Sequence, residues 1–429
     1  MDRKTNDITS PRNISVVGLG KLGICLAACF SYKGFNVLGV DINKKIIDTI
    51  NQSRATVPEP RLQELISKSG GRLRATNKIK DAIKKADITF FIVPTPSKKD
   101  GAFSDKYLRN VIKPLSIELK NENRHHIFVI TSTVSPGTID KRIIPLIEKY
   151  SMKKVNRDFS VVYNPEFIAL GDVVKGVLEP DMVLIGESNK DAGEKVEKIY
   201  SRVCDNHPYI ARMSIISAEI TKIALNSYIT MKISFANTLG NISDSIPGTE
   251  IDKITTALGS DKRVSPFYIR SGLAYGGPCF PRDNRAFVKF ASEHSIDAKL
   301  AKVTHQINVL QNKIFGNKVL RLLENKRANK VSIFGLAYKP GTSVIEEAAS
   351  IKLIEYLFKK RKGLKIYAYD KLAQETTKGY LGTKINHCKS AKVCAESSSI
   401  WVIATPENEF KKLLSKNKKG VEIINPWRL

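Results

Sequence analysis

The stretch Ile14-Ser-Val-Val-Gly18-Leu-Gly20-Lys-Leu-Gly23 sets the architecture of the first part of the chain. Its first four residues are mostly apolar and predict a strand, its three glycines predict a turn, and 24–30 (ICLAACF) has a helical pattern. The next apolar run, 36–40, ends at Asp41. Strand, glycine turn, helix, strand and acid in this order predict a βαβ unit with parallel strands.

These glycines have the spacing of a dinucleotide-binding turn. Gly18 makes the tight turn, Gly20 lets the backbone approach a pyrophosphate, and Gly23 lets the helix pack closely on the strand. The amino end of the helix then faces the phosphates. Asp41, about 20 residues further along, can hydrogen-bond a ribose hydroxyl and would repel a 2′-phosphate, so we predict NAD rather than NADP. A glycine turn that binds no dinucleotide is the alternative.

Strands and helices continue to alternate after this unit. Further strands are predicted at 88–93, 127–130 and 161–163, and the helical stretches between them indicate a doubly wound parallel sheet. The segment 217–242 contains no proline and a single glycine, which predicts one long helix. Helical sequence then continues to about 261 and resumes at 286–325.

A second strand–glycine–helix series begins at 330–334 and runs through 366–370 and 400–404. We therefore predict an α/β fold with two Rossmann-like, doubly wound domains joined by a helical middle domain that contains the long central helix. The predicted boundaries of the three domains are 1–212, 213–318 and 319–429.

The composition of the 429 residues indicates globular domains. Hydrophobic residues make up 42% of the chain, and no run of about 18 apolar residues is present. The six cysteines include no C-x-x-C pair or zinc spacing, the six histidines form no metal pattern, and the N-terminus does not resemble a secretory signal. We therefore expect a cytoplasmic protein without a metal site or a membrane span.

The formal net charge of +28 invites comparison with nucleic-acid-binding proteins. The lysines, however, are spread along the whole chain and form no basic arm with interleaved aromatic residues. A solvated lysine-rich surface is therefore our interpretation, and a nucleic-acid binder is the alternative. Such a charge would still steer an anionic substrate toward the protein.

Tyr275-Gly-Gly-Pro-Cys279-Phe-Pro-Arg-Asp283 is the stretch that points most directly to chemistry. A thiol that must reach a ligand needs a backbone that bulky neighbours do not block, and glycine provides it. The nearby charge of Arg282 favours the thiolate, which is the nucleophilic form of cysteine. Cys279 is therefore a candidate covalent catalyst, and a buried structural cysteine is the alternative.

Polar motifs follow three of the predicted strands, at the ends where ligands bind in open α/β sheets. They are Val93-Pro-Thr95-Pro96, Thr131-Ser-Thr133-Val-Ser-Pro-Gly137-Thr138 and Asn164-Pro-Glu166-Phe167. Glu166 can act as a general base if its environment tunes its pKa toward neutral. Surface turns are the alternative interpretation of all three motifs.

Two further features carry candidate polar groups. Lys222 and Asn226 are spaced i, i+4 on the predicted long helix, so they share a face and can point an ammonium and an amide at an oxyanion. Solvated side chains are the alternative. Lys339 lies in the turn Gly335-Leu-Ala-Tyr-Lys339-Pro-Gly, where a lysine can meet a phosphate or a sugar hydroxyl.

Taken in order, these motifs resemble those of the nucleotide-sugar dehydrogenases, the UDP-glucose/GDP-mannose dehydrogenase family. The resemblance covers nearly the whole chain and rests on GLGKLG, VPTP, STVSPGT, NPEF, the Lys222/Asn226 helix, Arg263, YGGPCFPRD and GLAYKPGT. It implies a four-electron oxidation of C6 of a nucleotide sugar to a carboxylate with two NAD+, through a thiohemiacetal and a thioester on Cys279. UDP-glucose is the substrate it favours, with GDP-mannose or a UDP-N-acetylhexosamine as alternatives.

The same resemblance implies roles for individual residues. Lys222 and Asn226 would stabilise oxyanions. Asp283 and Thr133 would hold a water, and Glu166 would serve in acid/base steps. Residues implied to contact NAD are Gly18, Gly20, Lys21, Leu22, Gly23, Asp41, Thr95, Thr133 and Arg282. Residues implied to contact the nucleotide sugar are Phe167, Ile168, Lys222, Asn226, Arg263, Tyr268, Tyr275, Gly276, Tyr338 and Lys339. The resemblance also implies that 1–212 binds NAD, that 213–318 is a dimerising domain and that 319–429 binds the nucleotide sugar. In the implied homodimer, Arg263 reaches the active site of the partner subunit.

The chain departs from the family pattern at several positions. A second glutamate common after NPEF is Leu170 here, and the lysine of C-F-x-K-D is Arg282. An arginine that follows K-P-G-T, a cofactor contact, aligns with Glu346, and one common near 181 is Met182. Arg428 is the candidate for the arginine that ends the last strand. A homologue that binds nucleotide sugar or NAD without oxidising the sugar is therefore an alternative function.

Overall fold

The computed structural model describes residues 12–168, 171–415 and 420–429. Its contacts divide the chain into two compact units, residues 1–222 and 223–429, and the division falls inside one long helix. The three predicted domains are not tested by this division, so their boundaries stay predictions.

Within the described residues, the first unit is built on an eight-stranded sheet with the order β3-β2-β1-β4-β5-β6-β7-β8. The strands are β1 (Asn13–Val17), β2 (Asn36–Val40), β3 (Leu73–Thr76), β4 (Ile88–Phe91), β5 (His126–Ile130), β6 (Phe159–Tyr163), β7 (Met182–Glu187) and β8 (Tyr209–Ser214). All neighbouring strands are parallel except β6 and β7, which pair antiparallel. The strand order reverses between β1 and β4, and ligands bind at such a switch point.

The helices of the first unit cover its sheet. They are α1 (Lys21–Tyr32), α2 (Lys44–Asn51), α3 (Leu62–Lys68), α4 (Asp81–Lys84), α5 (Lys106–Leu119), α6 (Ile144–Ser151), α7 (Val173–Leu178) and α8 (Lys190–Val203), with a π-helical segment (Ile139–Ile143) directly before α6. The helix α1 is apolar on nearly all sides, and it is almost entirely buried. Its residues Cys25, Cys29 and Phe30 belong to the main core. The helix α8 buries one stripe and exposes its charged residues, as expected for an amphipathic surface helix.

The helix α9 (Ile215–Ser245) contains the boundary between the two units. Three more helices follow in the second unit: α10 (Ile251–Ser260), α11 (Phe280–Glu293) and α12 (Lys299–Asn325). This region corresponds to the predicted helical middle of the chain.

The second unit ends in a five-stranded parallel sheet, counted over the part of the chain that the structure describes, with the order β11-β10-β9-β12-β13. Its strands are β9 (Lys330–Phe334), β10 (Lys365–Tyr369), β11 (Asn386–His387), β12 (Ile400–Ile403) and β13 (Glu422–Ile424). Its helices are α13 (Ala349–Lys360), α14 (Gln374–Leu381), α15 (Ala391–Glu396) and α16 (Asn408–Leu414), with a 3₁₀ turn at Gly382–Lys384.

The predicted fold class is confirmed: along the chain, one doubly wound α/β part precedes the helical region and another follows it. Among the helices of the described residues, none has an apolar stretch long enough to cross a membrane.

Candidate active site

The predicted site residues fall into two sets, one in each unit. In the first unit, the three glycines after β1 have three different surroundings. Gly18 has a φ of +94°, and a Cβ there would overlap the carbonyl of Ile92. A Cβ at Gly23 would overlap the carbonyl of Gly18, whereas a Cβ at Gly20 would meet no atom within 4 Å. The space beside Gly20 is therefore open at the start of α1, whose first turn has no side-chain cap and no acidic residue. A pyrophosphate fits there because helix amino ends bind anions.

Asp41 is held in place by this same glycine turn. Its Oδ2 accepts a hydrogen bond from the Leu19 N–H at 2.7 Å, and its Oδ1 accepts one from the Asn43 N–H at 2.8 Å. A carboxylate oxygen can accept a second hydrogen bond, so a ribose hydroxyl is compatible with this arrangement. Lys21 and Leu22 open α1 directly after the turn. The residues present thus fit a dinucleotide.

The segments after β4 and β5 are joined by Ser132. Its Oγ accepts a hydrogen bond from the Val93 N–H at 2.9 Å and lies 2.8 Å from the Val93 carbonyl, to which it donates. Thr95, two residues further on, is buried, and Thr133, next to Ser132, stays partly exposed. Both predicted threonines therefore lie at the carboxyl edge of the sheet, as expected for ligand contacts.

Glu166 lies after β6 in a polar cluster with Tyr200 and Asn164. The Tyr200 hydroxyl is 2.9 Å from Glu166 Oε1 and 2.7 Å from Asn164 Oδ1, and Asn164 Nδ2 donates to the Leu184 carbonyl at 3.0 Å. Part of the residue Glu166 is accessible, but burial of its carboxyl group raises its pKa to about 7, against the opposing effects of Tyr200 and Lys222. A carboxyl group poised near neutral pH has the property that a general acid/base needs.

Lys222, from α9, joins this cluster. Its Nζ donates to the Glu166 carbonyl at 2.6 Å and lies 4.5 Å from the centre of the Phe167 ring. Lys222 is buried, so the alternative of a solvated side chain is wrong. Ile168 packs against Gly176 of α7, where a Cβ would lie 2.9 Å from the Ile168 side chain. The structure thus brings together Glu166, Phe167 and Lys222.

In the second unit, Cys279 stands directly before α11 and is exposed, whereas the other five cysteines are buried. The first turn of this helix ties Cys279 to Asp283, since the Asp283 N–H donates to the Cys279 carbonyl at 2.8 Å. Asp283 is 1% exposed; its Oδ2 accepts from Asn226 Nδ2 at 2.6 Å, and its Oδ1 lies 3.6 Å from Arg282 Nε. Asn226 is buried as well. A reachable thiol therefore lies one helical turn from a buried carboxylate–amide pair.

A second polar network fixes the loop that carries this thiol. Asn284, next to Asp283, donates from Nδ2 to Thr230 Oγ1 at 2.7 Å and to the Tyr275 hydroxyl at 3.1 Å. The Tyr275 main chain exchanges hydrogen bonds with the amide of Asn308, at 2.8 and 2.9 Å. The loop before Cys279 is thus held from α9, α11 and α12.

The glycine pair before Cys279 serves close packing. A Cβ at Gly277, which has a φ of +83°, would overlap the ring of Tyr338, and a Cβ at Gly276 would overlap the carbonyl of Glu347. The Gly277 N–H also donates to the Glu346 carbonyl at 2.9 Å. The turn that carries Tyr338 and Lys339 is therefore a direct neighbour of the cysteine loop.

Tyr268 and Arg263 lie in the segment between α10 and α11. Tyr268 packs edge-on against Phe280, the residue that follows Cys279, with ring centres 6.4 Å apart. Arg263 is highly exposed and makes a two-pronged ion pair with Asp261 of the same loop. It also lines a cavity of about 530 Å³ between α9, α10 and α12. In the described part of the second unit, the ion-pair partner of Arg263 is Asp261 and not a residue of the loop that carries Cys279.

Of the departures from the family pattern, Leu170 lies outside the described residues. Met182 opens β7, and Glu346 is exposed and contributes its carbonyl to Gly277. Arg428 donates from Nε to Asp252 Oδ1 at 2.8 Å and from its guanidinium to the Ser271 carbonyl at 2.8 Å, so its contacts lie within the helical part.

Two buried polar residues of the first unit belong to none of the sequence motifs. Tyr200, from α8, is fully buried against Glu166, and Glu219, from α9, is a buried carboxylate that accepts two backbone hydrogen bonds. In the sequence only its i, i+3 spacing from Lys222 marks Glu219, and that spacing does not reveal its partners. Within the described ranges, no three histidine, cysteine or acidic side chains gather in a way that could hold a metal ion.

Comparison with known sequences places these features in one family. Residues 12–204, 216–309 and 332–425 match, in order, the NAD binding, central and UDP binding domains of the UDP-glucose/GDP-mannose dehydrogenase family.

Similar proteins and structures cover nearly the whole chain. It is 32% identical to GDP-mannose 6-dehydrogenase of Pseudomonas syringae pv. tomato, over 96% of this chain and 95% of that protein. It is also 32% identical to UDP-glucose 6-dehydrogenase of Haloferax volcanii, over 93% and 92%. A UDP-glucose dehydrogenase structure from Pyrobaculum islandicum superimposes with a TM-score of 0.88 at 26% identity, over 99% of this chain and 96% of that one.

Proposed function

This chain belongs to the UDP-glucose/GDP-mannose dehydrogenase family, and from that premise we propose that it oxidises C6 of a nucleotide sugar from an alcohol to a carboxylate. Bound NAD+ would accept one hydride in each of two oxidations. The pair of oxidations therefore releases two NADH for each sugar oxidised. UDP-glucose is the substrate we propose first. GDP-mannose is the second candidate, which the similarity to GDP-mannose 6-dehydrogenases supports.

Cys279 is the nucleophile in this proposal. Its sulfur adds to the aldehyde carbon left by the first oxidation, and the resulting thiohemiacetal is oxidised to a thioester. Water then forms a C–O bond to the acyl carbon while the C–S bond breaks, which returns the thiol and releases the acid. The exposure of Cys279, beside the buried Asp283–Asn226 pair, is the observation that carries the proposal.

In this proposal, other polar groups of the two units take the remaining chemical roles. Lys222 and Asn226 stabilise the oxyanions that form at the reacting carbon, since buried, preorganised donors do so most effectively. Asp283 and Thr133 hold the water for hydrolysis. Glu166 moves protons during thioester formation and hydrolysis, a role that its pKa of about 7 supports.

The first experiment measures the NADH produced per nucleotide sugar consumed, over a panel of UDP-glucose, GDP-mannose and UDP-N-acetylhexosamines. We expect about two NADH per UDP-glucose, because C6 passes through two two-electron oxidations and the intermediate stays bound to Cys279 between them. A yield of one would show that the reaction stops at the aldehyde. Turnover of GDP-mannose but not UDP-glucose would replace the first substrate with the second.

Cys279→Ser separates an enzyme from a homologue that only binds its ligands. We expect the variant to bind NAD+ and nucleotide sugar but to lose acid formation by about a thousandfold or more. Cys204→Ser, at a buried position, is the control for loss of a thiol as such. Equal inactivity of parent and Cys279→Ser, with binding intact, would establish the binding protein instead.

A further inference from the structure

A buried carboxylate on α9 holds the segment that follows β5. Glu219 is fully buried, and its carboxylate accepts hydrogen bonds from the Gly137 N–H at 2.5 Å and from the Ile139 N–H at 3.1 Å. Ile139 begins the π-helical segment Ile139–Ile143. Glu219 therefore fixes the end of the segment 131–138 and the start of the helix after it.

The other end of this segment is fixed independently. Ser132 is bonded to the main chain of Val93, and Ser135 Oγ accepts from the Phe103 N–H at 3.0 Å. Val134 is buried, whereas Thr133 is partly exposed between these attachment points. With both ends of its loop held, Thr133 has little freedom to move relative to the sheet.

The same helical turn also holds the neighbouring segment. Lys222 follows Glu219 by three residues, so the two side chains are neighbours on α9, and Lys222 donates to the Glu166 carbonyl. One turn of α9 is thus hydrogen-bonded to two segments, the one after β5 that contains Thr133 and the one after β6 that contains Glu166.

A carboxylate is a costly group to bury for packing alone. Burial raises the pKa of Glu219 to about 7, although the N–H groups of Gly137 and Ile139 oppose the shift and Lys141 helps them against Asp140. Helix starts are ordinarily capped by a serine, threonine, asparagine or aspartate at the helix's own end. A distant buried glutamate instead couples α9 to the segment that contains Thr133. π-Helical turns, such as the one that begins at Ile139, occur frequently at functional sites.

We propose that Glu219 is a positioning residue: by holding Gly137 and Ile139 it sets the position of Thr133, and the step that depends on it is hydrolysis of the thioester. The inference rests on the proposed function, in which Thr133 helps to hold the hydrolytic water. Glu219 itself exchanges no proton in this step.

Glu219→Gln tests this inference at pH 8.5 with nucleotide sugar and excess NAD+. A glutamine oxygen can accept from one of the two N–H groups, but its own NH₂ then faces the other. We expect kcat to fall about tenfold or more and acyl-enzyme to accumulate. Intact-mass measurement during turnover detects it as an adduct on Cys279 that hydroxylamine removes.

Glu118→Gln is the matched control. Glu118 is also a buried carboxylate of the first unit, but it pairs with Lys80 and Lys84 near the end of α5. It should neither slow turnover selectively nor accumulate acyl-enzyme. Glu219→Asp keeps the charge with a shorter reach and should accumulate less adduct than glutamine; it also serves if Glu219→Gln does not fold.

The possible failures are distinguishable. If the parent protein oxidises nucleotide sugar but neither Glu219 variant accumulates the adduct, or if both lose all steps in proportion to a fall in thermal stability, Glu219 is only structural and the inference is overturned. If the parent yields no NADH with any nucleotide sugar, the proposed function fails and this inference falls with it.

Discussion

Asn164 and Glu166 both face the hydroxyl group of Tyr200, which has a single proton to donate. Asn164 Nδ2 donates to the Leu184 carbonyl, so Asn164 Oδ1 is the atom that faces Tyr200 and must accept its hydroxyl proton. Tyr200 has one such proton, and Glu166 Oε1 lies 2.9 Å from the same hydroxyl. A protonated Glu166 can donate to the Tyr200 oxygen, whereas an ionised Glu166 competes with Asn164. Because Asn164 competes for the single hydroxyl proton, Tyr200 opposes the effect of burial only in part, and burial raises the pKa of Glu166 to about 7.

The first prediction concerns the pH dependence of the reaction. If ionised Glu166 is the base, kcat/KM rises with pH through about 7, where its carboxyl loses its proton. Glu166→Gln should lower the plateau about a hundredfold and remove this inflection. Because the pKa of Glu219 is also raised to about 7, either carboxyl group could cause the inflection. The pH profile of kcat/KM for Glu219→Gln is therefore measured as well. An unchanged inflection in Glu166→Gln would assign the titration to another group.

Sequence reasoning located single residues only where a local motif marks them. Cys279 and Glu166 belong to short motifs with chemical meaning, and Asp41 follows from its place at the end of a strand. Tyr200 and Glu219 could not be found this way, since each acquires its role from a partner about 35 to 80 residues away. Burial, which sets their pKa values, is a property of the folded chain.

At the scale of elements, the turn after β1 and the helix α1 could be predicted because glycine spacing and apolar patterning are local signals. So could α9, whose sequence lacks proline. The antiparallel pairing of β6 with β7 could not, because the apolar pattern of a strand does not record its direction. Short strands such as β3, with four residues, contain too few residues for an apolar pattern to be recognised.

The second prediction contrasts two glycines of one turn. Gly20 has a φ of −64° and open space around its Cα, so Gly20→Ala should fold normally. Its methyl group would occupy the space expected for the pyrophosphate, and we expect NAD+ to bind at least about tenfold more weakly. Gly23→Ala would instead press on the Gly18 carbonyl and destabilise the first unit by about 2 kcal/mol.

Titration calorimetry and thermal unfolding check this pair of glycine variants together. The expected pattern is weakened binding at normal stability for Gly20→Ala, and lowered stability for Gly23→Ala. Normal NAD+ affinity in Gly20→Ala would show that the phosphates lie elsewhere.

At the scale of the whole molecule, buried titratable groups make stability depend on pH in opposite senses. The pKa of Glu219 is raised from 4.5 to about 7, so its contribution is present below pH 4.5 and lost as pH rises through 7. Buried His126 has its pKa lowered from 6.5 to about 3, so its contribution is present above pH 6.5 and lost as pH falls toward 3. Only a difference between variants isolates one group.

The third prediction therefore concerns the difference in free energy of unfolding between Glu219→Gln and the parent protein. Because of Glu219, the free energy of unfolding of the parent falls by about 3 kcal/mol as the pH rises from 4.5 to 7. Glu219→Gln lacks this fall, so the stability of the variant relative to the parent should rise by that amount over the same range. Urea unfolding of both proteins at several pH values, monitored in the first unit, measures it. A difference that does not vary with pH would mean that the carboxyl of Glu219 titrates normally.

Two helices, α9 and α12, carry exposed apolar residues at regular spacing. Leu300, Val303, Leu310 and Ile314 of α12 follow a heptad spacing, and all are exposed. On α9, Tyr228, Phe235 and Ile242 are exposed at seven-residue intervals. Exposed apolar residues at heptad spacing indicate a helical partner. We propose that the partner is a second copy of this chain.

The fourth prediction tests this dimer and the proposed reach of Arg263 into the partner subunit. Phe235→Glu should yield monomers by light scattering, whereas Met152→Glu, an exposed apolar residue of the first unit, should not.

Arg263→Ala and Cys279→Ser should each be inactive alone. In a mixed dimer, the subunit that keeps Cys279 would receive Arg263 from its partner, so mixing the two variants should restore about a quarter of parental activity. If Arg263 acts only within its own subunit, neither half of the mixed dimer holds both residues, and mixing restores nothing.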